Sequence, residues 1–223
     1  MFAGIAPRYD FLNHFLSARR DAGWRRETVA AGEVRPGEPV LDVCTGTGDL
    51  AIAWARALGP GSPVVGTDFC EPMVRLGAGK VRREGLGVRL GVADTLRLPF
   101  ADGRFAAASV GFGIRNVADL GGGLAEMARV VRPGGRVLVL EFTRPPNPLF
   151  RFVYYVYFLL LLPLLGNVVS GSRRNAYGYL PRSVLSFPDR GRLARMMGEA
   201  GLRDVRVRDL GLGIVTVHVG VKP

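Results

Sequence analysis

The stretch that most constrains the fold of this chain runs from Val40 to Leu50 and reads V-L-D-V-C-T-G-T-G-D-L. Val40 to Cys44 is a short apolar run with one acid in it, typical of a strand buried on both faces of a parallel sheet. Gly46 and Gly48 then allow a tight turn, and a helix rich in Ala and Leu begins at Leu50. Strand, glycine turn and helix in this order predict a nucleotide site at the carboxyl end of the strand.

This signature alone leaves more than one function open. The letters from Gly46 to Ala51 fit the dinucleotide pattern G-x-G-x-x-A, and Asp68 follows at about the 20-residue spacing of a ribose-binding acid. A nicotinamide-dependent dehydrogenase and a class I S-adenosylmethionine methyltransferase both satisfy the pattern, and so does a glycine turn without a ligand. The rest of the chain has to separate these alternatives.

Length and composition bound the class of protein. A chain of 223 residues is long enough for one α/β domain with a substantial core. The formal charge of +11 is almost entirely arginine and favours anionic lipid or nucleic acid, although a high-GC genome would also enrich arginine. The two cysteines are too few for a disulfide framework, which indicates a reducing cytoplasm.

Alternating strand and helix patterns predict an α/β fold with a doubly wound, seven-stranded, mostly parallel sheet in a single domain, residues 1–223. Predicted strands cover residues 40–44, 63–67, 88–92, 105–112, 136–142, 205–210 and 214–221. Predicted helices cover residues 50–58, 71–84, 120–131 and 190–200, the third ending at Pro133-Gly134-Gly135. The last two strands form a closing antiparallel hairpin, which is unlike the typical dinucleotide fold and like the methyltransferase sheet.

Two segments lie outside this alternation. Residues 1–34 are predicted to form a helical cover over the ligand side of the sheet. Residues 144–174 predict an apolar helical insertion, with an unbroken apolar run from Phe152 to Leu165 between Arg151 and Arg173-Arg174. This run is shorter than the ~20 residues needed to span a bilayer. It therefore covers an apolar pocket, lies in a membrane interface, or is an internal core helix.

Four further stretches carry a family resemblance. They begin at Ile5, Gly111, Arg129 and Gly213 and read I-A-P-R-Y-D-F-L-N, G-F-G-I-R-N-V, R-V-V-R-P-G-G-R-V-L-V-L-E-F and G-I-V-T-V-H-V-G-V-K-P. The Pro-Gly-Gly entry to a strand is common to class I methyltransferases, whereas the Y-D-x-x-N and G-I-R-N patterns are more specific. Over essentially its whole length the chain resembles the quinone-biosynthesis C-methyltransferases, which methylate demethylmenaquinol or 2-methoxy-6-polyprenyl-benzoquinol.

The resemblance implies S-adenosyl-L-methionine as cofactor. The implied cofactor-binding residues are Asp42, Gly46, Thr47, Gly48, Asp68, Asp94, Thr95 and Gly111. Asp42 would face the ammonium group of the cofactor, and Asp68 would accept both ribose hydroxyls. Asp94 would accept from the adenine amino group, while each acid remains open to a purely solvated or capping role. Asp49 is equally compatible with a helix cap.

The implied chemistry transfers a methyl group to a carbon of a reduced quinone. That carbon becomes nucleophilic when a phenolic hydroxyl loses its proton, so the site needs a base or a group that stabilises phenolate. The predicted catalytic residues are Arg115 and Asn116 after the fourth strand, Tyr9 in the amino-terminal cover, and His218. Arg115 would stabilise phenolate or orient a water molecule, whereas His218 on a terminal strand is also compatible with a structural role.

The implied partners are a polyprenyl hydroquinone and a membrane surface, with the protein in the cytoplasm and peripherally associated with the inner face of the membrane. A homodimer is compatible with the resemblance. No nucleic acid is expected, because no surface of interleaved aromatic and basic residues is evident. No metal is expected either, because two histidines and two separated cysteines give no ligand spacing. The alternatives are methylation of another apolar phenol and a non-catalytic, cofactor-binding scaffold in a quinone-biosynthesis complex.

Overall fold

A seven-stranded sheet organises the computed structural model, which describes residues 20–156 and 183–223. The strands are β1 (Val40–Val43), β2 (Val64–Asp68), β3 (Val88–Val92), β4 (Phe105–Gly111), β5 (Val131–Phe142), β6 (Arg203–Leu210) and β7 (Val215–Val221). They lie in the order β3-β2-β1-β4-β5-β7-β6. The first five strands pair in parallel, and β7 is antiparallel to both of its neighbours, β5 and β6.

This topology confirms the predicted fold class. In the dinucleotide-binding fold a sixth parallel strand follows the fifth in the order 3-2-1-4-5-6. Here the antiparallel β7 is inserted between β5 and β6, so the strand order disfavours the dehydrogenase alternative.

Six α-helices with bounds inside the described residues accompany the sheet, besides a helical stretch at residues 183–186. They are α1 (Asp21–Ala31), α2 (Asp49–Leu58), α3 (Glu71–Glu84), α4 (Leu120–Val130), α5 (Pro148–Val156) and α6 (Arg190–Glu199). None of the helices in this part of the chain is both long and apolar enough to cross a bilayer. The predicted amino-terminal cover is described only from residue 20, and the predicted insertion only as far as residue 156. Tyr9, Arg173 and Arg174 therefore lie outside the described residues.

The core lies on both faces of the sheet, as the apolar strands require. One face packs against α4 and α6 through Val43, Val139, Met127, Leu193 and Met197. The other face packs largely against α2 through Val40, Leu138, Leu50, Trp54 and Leu58. All four residues of β1 are buried, which is what a central parallel strand covered on both sides requires.

The start of β5 differs from the prediction. The sequence places the strand after Pro133-Gly134-Gly135, at residue 136, whereas β5 begins at Val131 and contains these three residues. Val131 already pairs with Phe105, and the register then shifts before Ala107 pairs with Arg136. A Cβ on Gly135 would lie 2.6 Å from the Ala106 carbonyl oxygen, so glycine is needed where the irregular strand approaches β4.

Candidate active site

A cavity of about 360 Å³ lies at the carboxyl ends of the central parallel strands. Seven of the eight predicted cofactor-binding residues line it: Asp42, Gly46, Thr47, Asp68, Asp94, Thr95 and Gly111. The eighth, Gly48, is the residue that precedes α2. Carboxyl ends of parallel strands meet at one edge of a sheet, and for this reason residues far apart in the sequence converge here.

The glycine turn after β1 packs closely against helix α3. Gly46 and Gly48 both have positive φ, at 58° and 87°, a conformation that side chains strongly disfavour. On α3, a Cβ at Gly77 would lie 2.9 Å from the backbone C and O atoms of Thr47. The turn is therefore held against α3 by a contact that leaves no room for a side chain.

Asp42 lies beneath this turn and is only 1% exposed. Its Oδ2 accepts a hydrogen bond from Thr45 Oγ1 at 2.6 Å, and its Oδ1 accepts one from Ser109 Oγ at 2.8 Å. Ser109 Oγ in turn accepts from Trp54 Nε1 at 3.0 Å. Burial raises the pKa of Asp42 to about 7, against the opposing effect of these hydrogen bonds. A cation bound nearby would favour the charged form of this carboxyl group.

Asp68 joins the glycine turn to α3. Its Oδ2 accepts from the Gly46 N–H and its Oδ1 from the Cys70 N–H, both at 2.8 Å. An ionised carboxylate has about four lone-pair sites, so these two bonds leave it able to accept from further hydroxyl groups. The backbone bonds fix the orientation that a ribose would meet.

The opposite wall contains Asp94, Thr95 and Cys44. Asp94 is exposed, and its Oδ1 accepts from the Leu96 N–H at 2.9 Å. Thr95 is buried, with Oγ1 3.3 Å from Cys44 Sγ. Burial raises the pKa of Cys44 to about 12, so this group is a neutral thiol near pH 7 and not a nucleophilic thiolate.

The loops after β1 and β4 meet in a strained contact. Cys44 and Phe112 both adopt positive φ, at 49° and 58°, although neither is glycine. A Cβ on Gly113 would lie 2.4 Å from the Cys44 Cβ, so only glycine fits there. Strain of this kind is concentrated at functional sites, where the surrounding structure must hold it.

Arg115 forms a buried ion pair behind the cavity wall. Its Nη1 donates to Glu141 Oε1 and to the Phe112 carbonyl oxygen, both at 2.6 Å. The side chains of Arg115 and Glu141 are 7% and 1% exposed, and Arg115 is absent from the residues that line the cavity. Burial raises the pKa of Glu141, and the Arg115 charge opposes that rise. The guanidinium is thus committed to a carboxylate and stacks 5.7 Å from the centre of the Phe142 ring.

The other predicted catalytic residues are placed differently. Asn116 lines the cavity, and its Nδ2 donates to the Gly113 carbonyl oxygen at 3.2 Å. His218 is fully buried in β7, with Nε2 2.9 Å from the Arg190 carbonyl oxygen, and does not line the cavity. Burial lowers the pKa of His218, which favours the neutral ring.

Arg25 is a cavity residue that the sequence reasoning missed. It lies on α1, its Nη2 is 3.2 Å from Asp49 Oδ2, and its Nη1 pairs with Asp21. Lys80 Nζ pairs with the other oxygen of Asp49. These contacts tie α1 to α2 and α3 across the turn. The available signal was the four-residue spacing of Asp21 and Arg25, which puts both on one helix face.

Glu141 and Phe69 were also missed. Glu141 is an acid inside the apolar strand V-L-V-L-E-F, and a buried acid of that kind needs a partner. Phe69 directly follows the predicted ribose-binding acid and lines the cavity while 78% exposed. Both positions carried a readable signal in the sequence.

Comparisons with known proteins agree with this arrangement. The ubiE/COQ5 methyltransferase family matches residues 1–222. The chain is 47% identical over 223 residues to the demethylmenaquinone methyltransferase of Thermus thermophilus, covering 100% of both chains. It is 45% identical over 224 residues to the ubiquinone/menaquinone biosynthesis C-methyltransferase UbiE of Geobacter sulfurreducens, covering 100% of this chain and 87% of that one.

A solved structure supports the fold. The chain is similar to a SAM-dependent methyltransferase of Thermotoga maritima described as a possible histamine N-methyltransferase, with a TM-score of 0.70. The two share 18% sequence identity over 100% of this chain and 98% of that one. At this identity the likeness concerns the architecture of the sheet and its helices.

Proposed function

The chain belongs to the ubiE/COQ5 methyltransferase family, and we propose that it methylates a ring carbon of a polyprenylated hydroquinone with S-adenosylmethionine as donor. The observation that carries the proposal is the full-length match to relatives named for this activity. Demethylmenaquinol is the first candidate substrate, because it is the reduced form of the demethylmenaquinone in the name of the Thermus thermophilus relative. The methoxy-polyprenyl-benzoquinol is the second, because the name of the Geobacter sulfurreducens relative covers both pathways.

The cavity residues fit the cofactor. When bound, S-adenosylmethionine supplies an electrophilic methyl group on a sulfonium. Asp42 offers a buried carboxylate toward the positive charges of the methionine end. Asp68 offers lone pairs to the ribose hydroxyls, and Asp94 offers them to the adenine amino group. The bare backbone of Gly46 and Gly111 allows close approach, and Phe69 supplies an apolar surface beside the base.

The acceptor side needs a phenolate and a dry environment. Asn116 is the predicted catalytic residue among those lining the cavity, and its amide can donate a hydrogen bond to a phenolate oxygen. Leu96, Phe112 and Val117 line the same cavity and exclude water, which strengthens such a bond. Arg115 is neutralised by Glu141, so we assign it a structural role: it holds the backbone of Phe112, a residue that lines the cavity.

We place the reaction at the inner face of a membrane. A polyprenyl tail partitions into lipid rather than water, so its quinol headgroup is presented at the bilayer surface. The net charge of +11 favours approach to anionic lipid headgroups, which attract basic proteins electrostatically.

The direct test is incorporation of label. We would incubate the protein under reducing conditions with methyl-labelled S-adenosylmethionine and either demethylmenaquinol or the methoxy-polyprenyl-benzoquinol, and follow label into the lipid extract. We expect label in demethylmenaquinol, and none with Asp68→Ala, which loses the predicted ribose acceptor. No label in either quinol, with cofactor binding intact, would contradict the proposal in favour of another phenol or a scaffold.

A further inference from the structure

Exposed apolar side chains are concentrated at one edge of the sheet. The four most exposed large hydrophobic residues in the described part of the chain are Phe69 at 78%, Leu149 at 75%, Leu212 at 72% and Phe152 at 68%. All four follow the carboxyl ends of β2, β5 or β6, which point the same way. Phe69 lines the cavity, so three of these side chains, near the same edge, have no role in the site described above.

Two of the three residues form one face of α5. Leu149 and Phe152 are three positions apart, a spacing that puts both on the same side of a helix. Tyr154 is buried on this helix. The side of α5 that faces away from the protein is therefore apolar, which is the reverse of an ordinary surface helix.

Leu212 belongs to the same surface. It has φ of 61°, a left-handed conformation that is unfavourable for a leucine, and its side chain projects into solvent. Beside it, a Cβ on Gly213 would lie 2.5 Å from Pro146 Cδ, so the turn 211–213 packs on the segment leading into α5. A strained and exposed leucine points to a use for the exposed side chain.

Basic side chains accompany these residues. Arg151 comes between Leu149 and Phe152 in the sequence, about 100° around the helix from Phe152, and its long side chain is partly exposed. Arg144 precedes the helix and is exposed. Arg144 Nη2 donates to the Leu185 carbonyl oxygen at 2.6 Å, a neutral acceptor that leaves its positive charge in place. Besides backbone hydrogen bonding, the Arg144 charge also lowers the pKa of Asp189, so the two groups are close enough to attract each other. Apolar side chains beside arginines match an interface that is apolar within and anionic at its surface.

We propose that this rim, defined as Leu149, Phe152 and Leu212 with Arg144 and Arg151, docks on the surface of an anionic phospholipid bilayer. Docking by the rim would turn the cavity edge of the sheet toward the lipid. This names the surface behind the membrane association given under the proposed function, on which it rests for the nature of the substrate.

A second copy of the chain fits the rim less well. A two-fold contact would set Arg144 and Arg151 close to the same residues of the partner copy, and like charges repel. Three apolar side chains also fall far short of the roughly 800 Å² per partner that a stable interface buries. Membrane insertion needs no such area, because a few apolar side chains and nearby arginines suffice for reversible binding.

The test compares matched variants in vesicle co-sedimentation. The rim variant carries Leu149→Ser, Phe152→Ser and Leu212→Ser. The control variant carries Leu76→Ser and Val207→Ser, which replace side chains exposed by 42% and 39% on α3 and in mid-β6. With phosphatidylglycerol vesicles we expect the rim variant to bind at least about tenfold more weakly and the control variant to bind as wild type. Equal binding by wild type and rim variant would overturn the proposal, and so would equal wild-type binding to purely zwitterionic vesicles.

A second measurement separates this inference from the proposed function. With a short-chain, water-soluble quinol we expect the rim variant to turn over as wild type, and with long-chain quinol in vesicles to lose most of its turnover. If vesicle binding depends on the rim but the wild-type protein turns over no quinol, the docking surface is supported and the proposed substrate is contradicted. A change in molar mass in the rim variant, with vesicle binding unchanged, would instead identify the rim as a contact between copies and overturn membrane docking.

Discussion

At the scale of single residues, the cavity wall depends on a charge pair that does not itself reach the cavity. Arg115 holds the Phe112 carbonyl oxygen and Glu141 at once, and Phe112 is strained with φ of 58°. Phe112 also packs against Phe142, with ring centres 4.7 Å apart. The pair therefore positions a residue that lines the cavity.

We predict that Arg115 and Glu141 act as a unit. Arg115→Ala and Glu141→Gln should each lower turnover by about 100-fold, because misplacing a catalytic wall by about 1 Å costs that much. The double variant should be little worse than either single variant, measured as kcat at saturating cofactor and quinol. Glu126→Gln, in a more exposed pair with Arg129, is the control and should leave kcat unchanged. Nearly normal turnover by Glu141→Gln beside an inactive Arg115→Ala would instead indicate direct contact of Arg115 with substrate.

The sequence predicts which acidic residues line the cavity better than it predicts the position of the Arg115 side chain. Asp42 lies one residue before the end of β1, Asp68 ends β2 and Asp94 follows β3, and the geometry of a parallel sheet alone brings such residues together. The direction of the Arg115 side chain has no such rule behind it. It depends on Glu141, which is 26 positions away and adjacent only once β4 and β5 have paired.

At the scale of elements, ion pairs hold α1 beside the glycine turn. Arg25 bridges Asp21 on its own helix and Asp49 at the start of α2, and its side chain is 10% exposed. Trp24 on the same helix lies 6.2 Å from the ring centre of Phe112. The helix therefore contacts both the start of α2, which follows the glycine turn, and Phe112 in the loop after β4.

We predict that Arg25→Met loosens α1. The substitution removes the ion pair with Asp21 and one of the two cations that pair with Asp49, and the loss of such a charged hydrogen bond costs about 2 kcal/mol of stability. We expect a lower free energy of unfolding, faster amide hydrogen exchange in α1 and weaker cofactor binding. Arg26→Met, at the exposed neighbouring position, is the matched control and should change none of these. Indistinguishable exchange rates in the two variants would count against the fastening role of Arg25.

Elements whose ends carry their own signals are predicted well. Residues 71–84 are predicted as a helix and α3 has those bounds, with Gly85 at its end in a left-handed conformation of φ 64°. The predicted start of β5 is wrong because Pro133, Gly134 and Gly135 are local signals for a turn. The strand nevertheless runs through them, because it pairs with β4 from Val131 onward. Tertiary pairing overrides local preference there.

At the scale of the whole molecule, Asp42 makes stability depend on pH. Its folded pKa of about 7 is above the value of about 4 of an unfolded aspartate. Between these values the folded state holds a proton that the unfolded state has released. The stability of the protein without cofactor therefore falls as pH rises from about 4 to about 7, by roughly 4 kcal/mol from this group.

We predict that Asp42→Asn removes this dependence. Its amide can still bond to Thr45 and Ser109, and it cannot ionise. In urea unfolding, the stability of the variant relative to wild type should be about 2.5 kcal/mol higher at pH 8 than at pH 5. The lowered pKa of His218 acts in the opposite direction but is common to both proteins and cancels. A constant difference across this range would show that Asp42 is ionised throughout.

The antiparallel β7 also sets an order of assembly. It lies between β5 and β6, and among the described strands β6 pairs only with β7. During synthesis from the amino end, β6 is therefore made before β7, the strand with which it pairs. The edge of β5 stays open until β7 arrives, and β6 then joins through β7. The five parallel strands can pair before the rest of the sheet forms. β6 and β7 then join the sheet together, after β7 has been made.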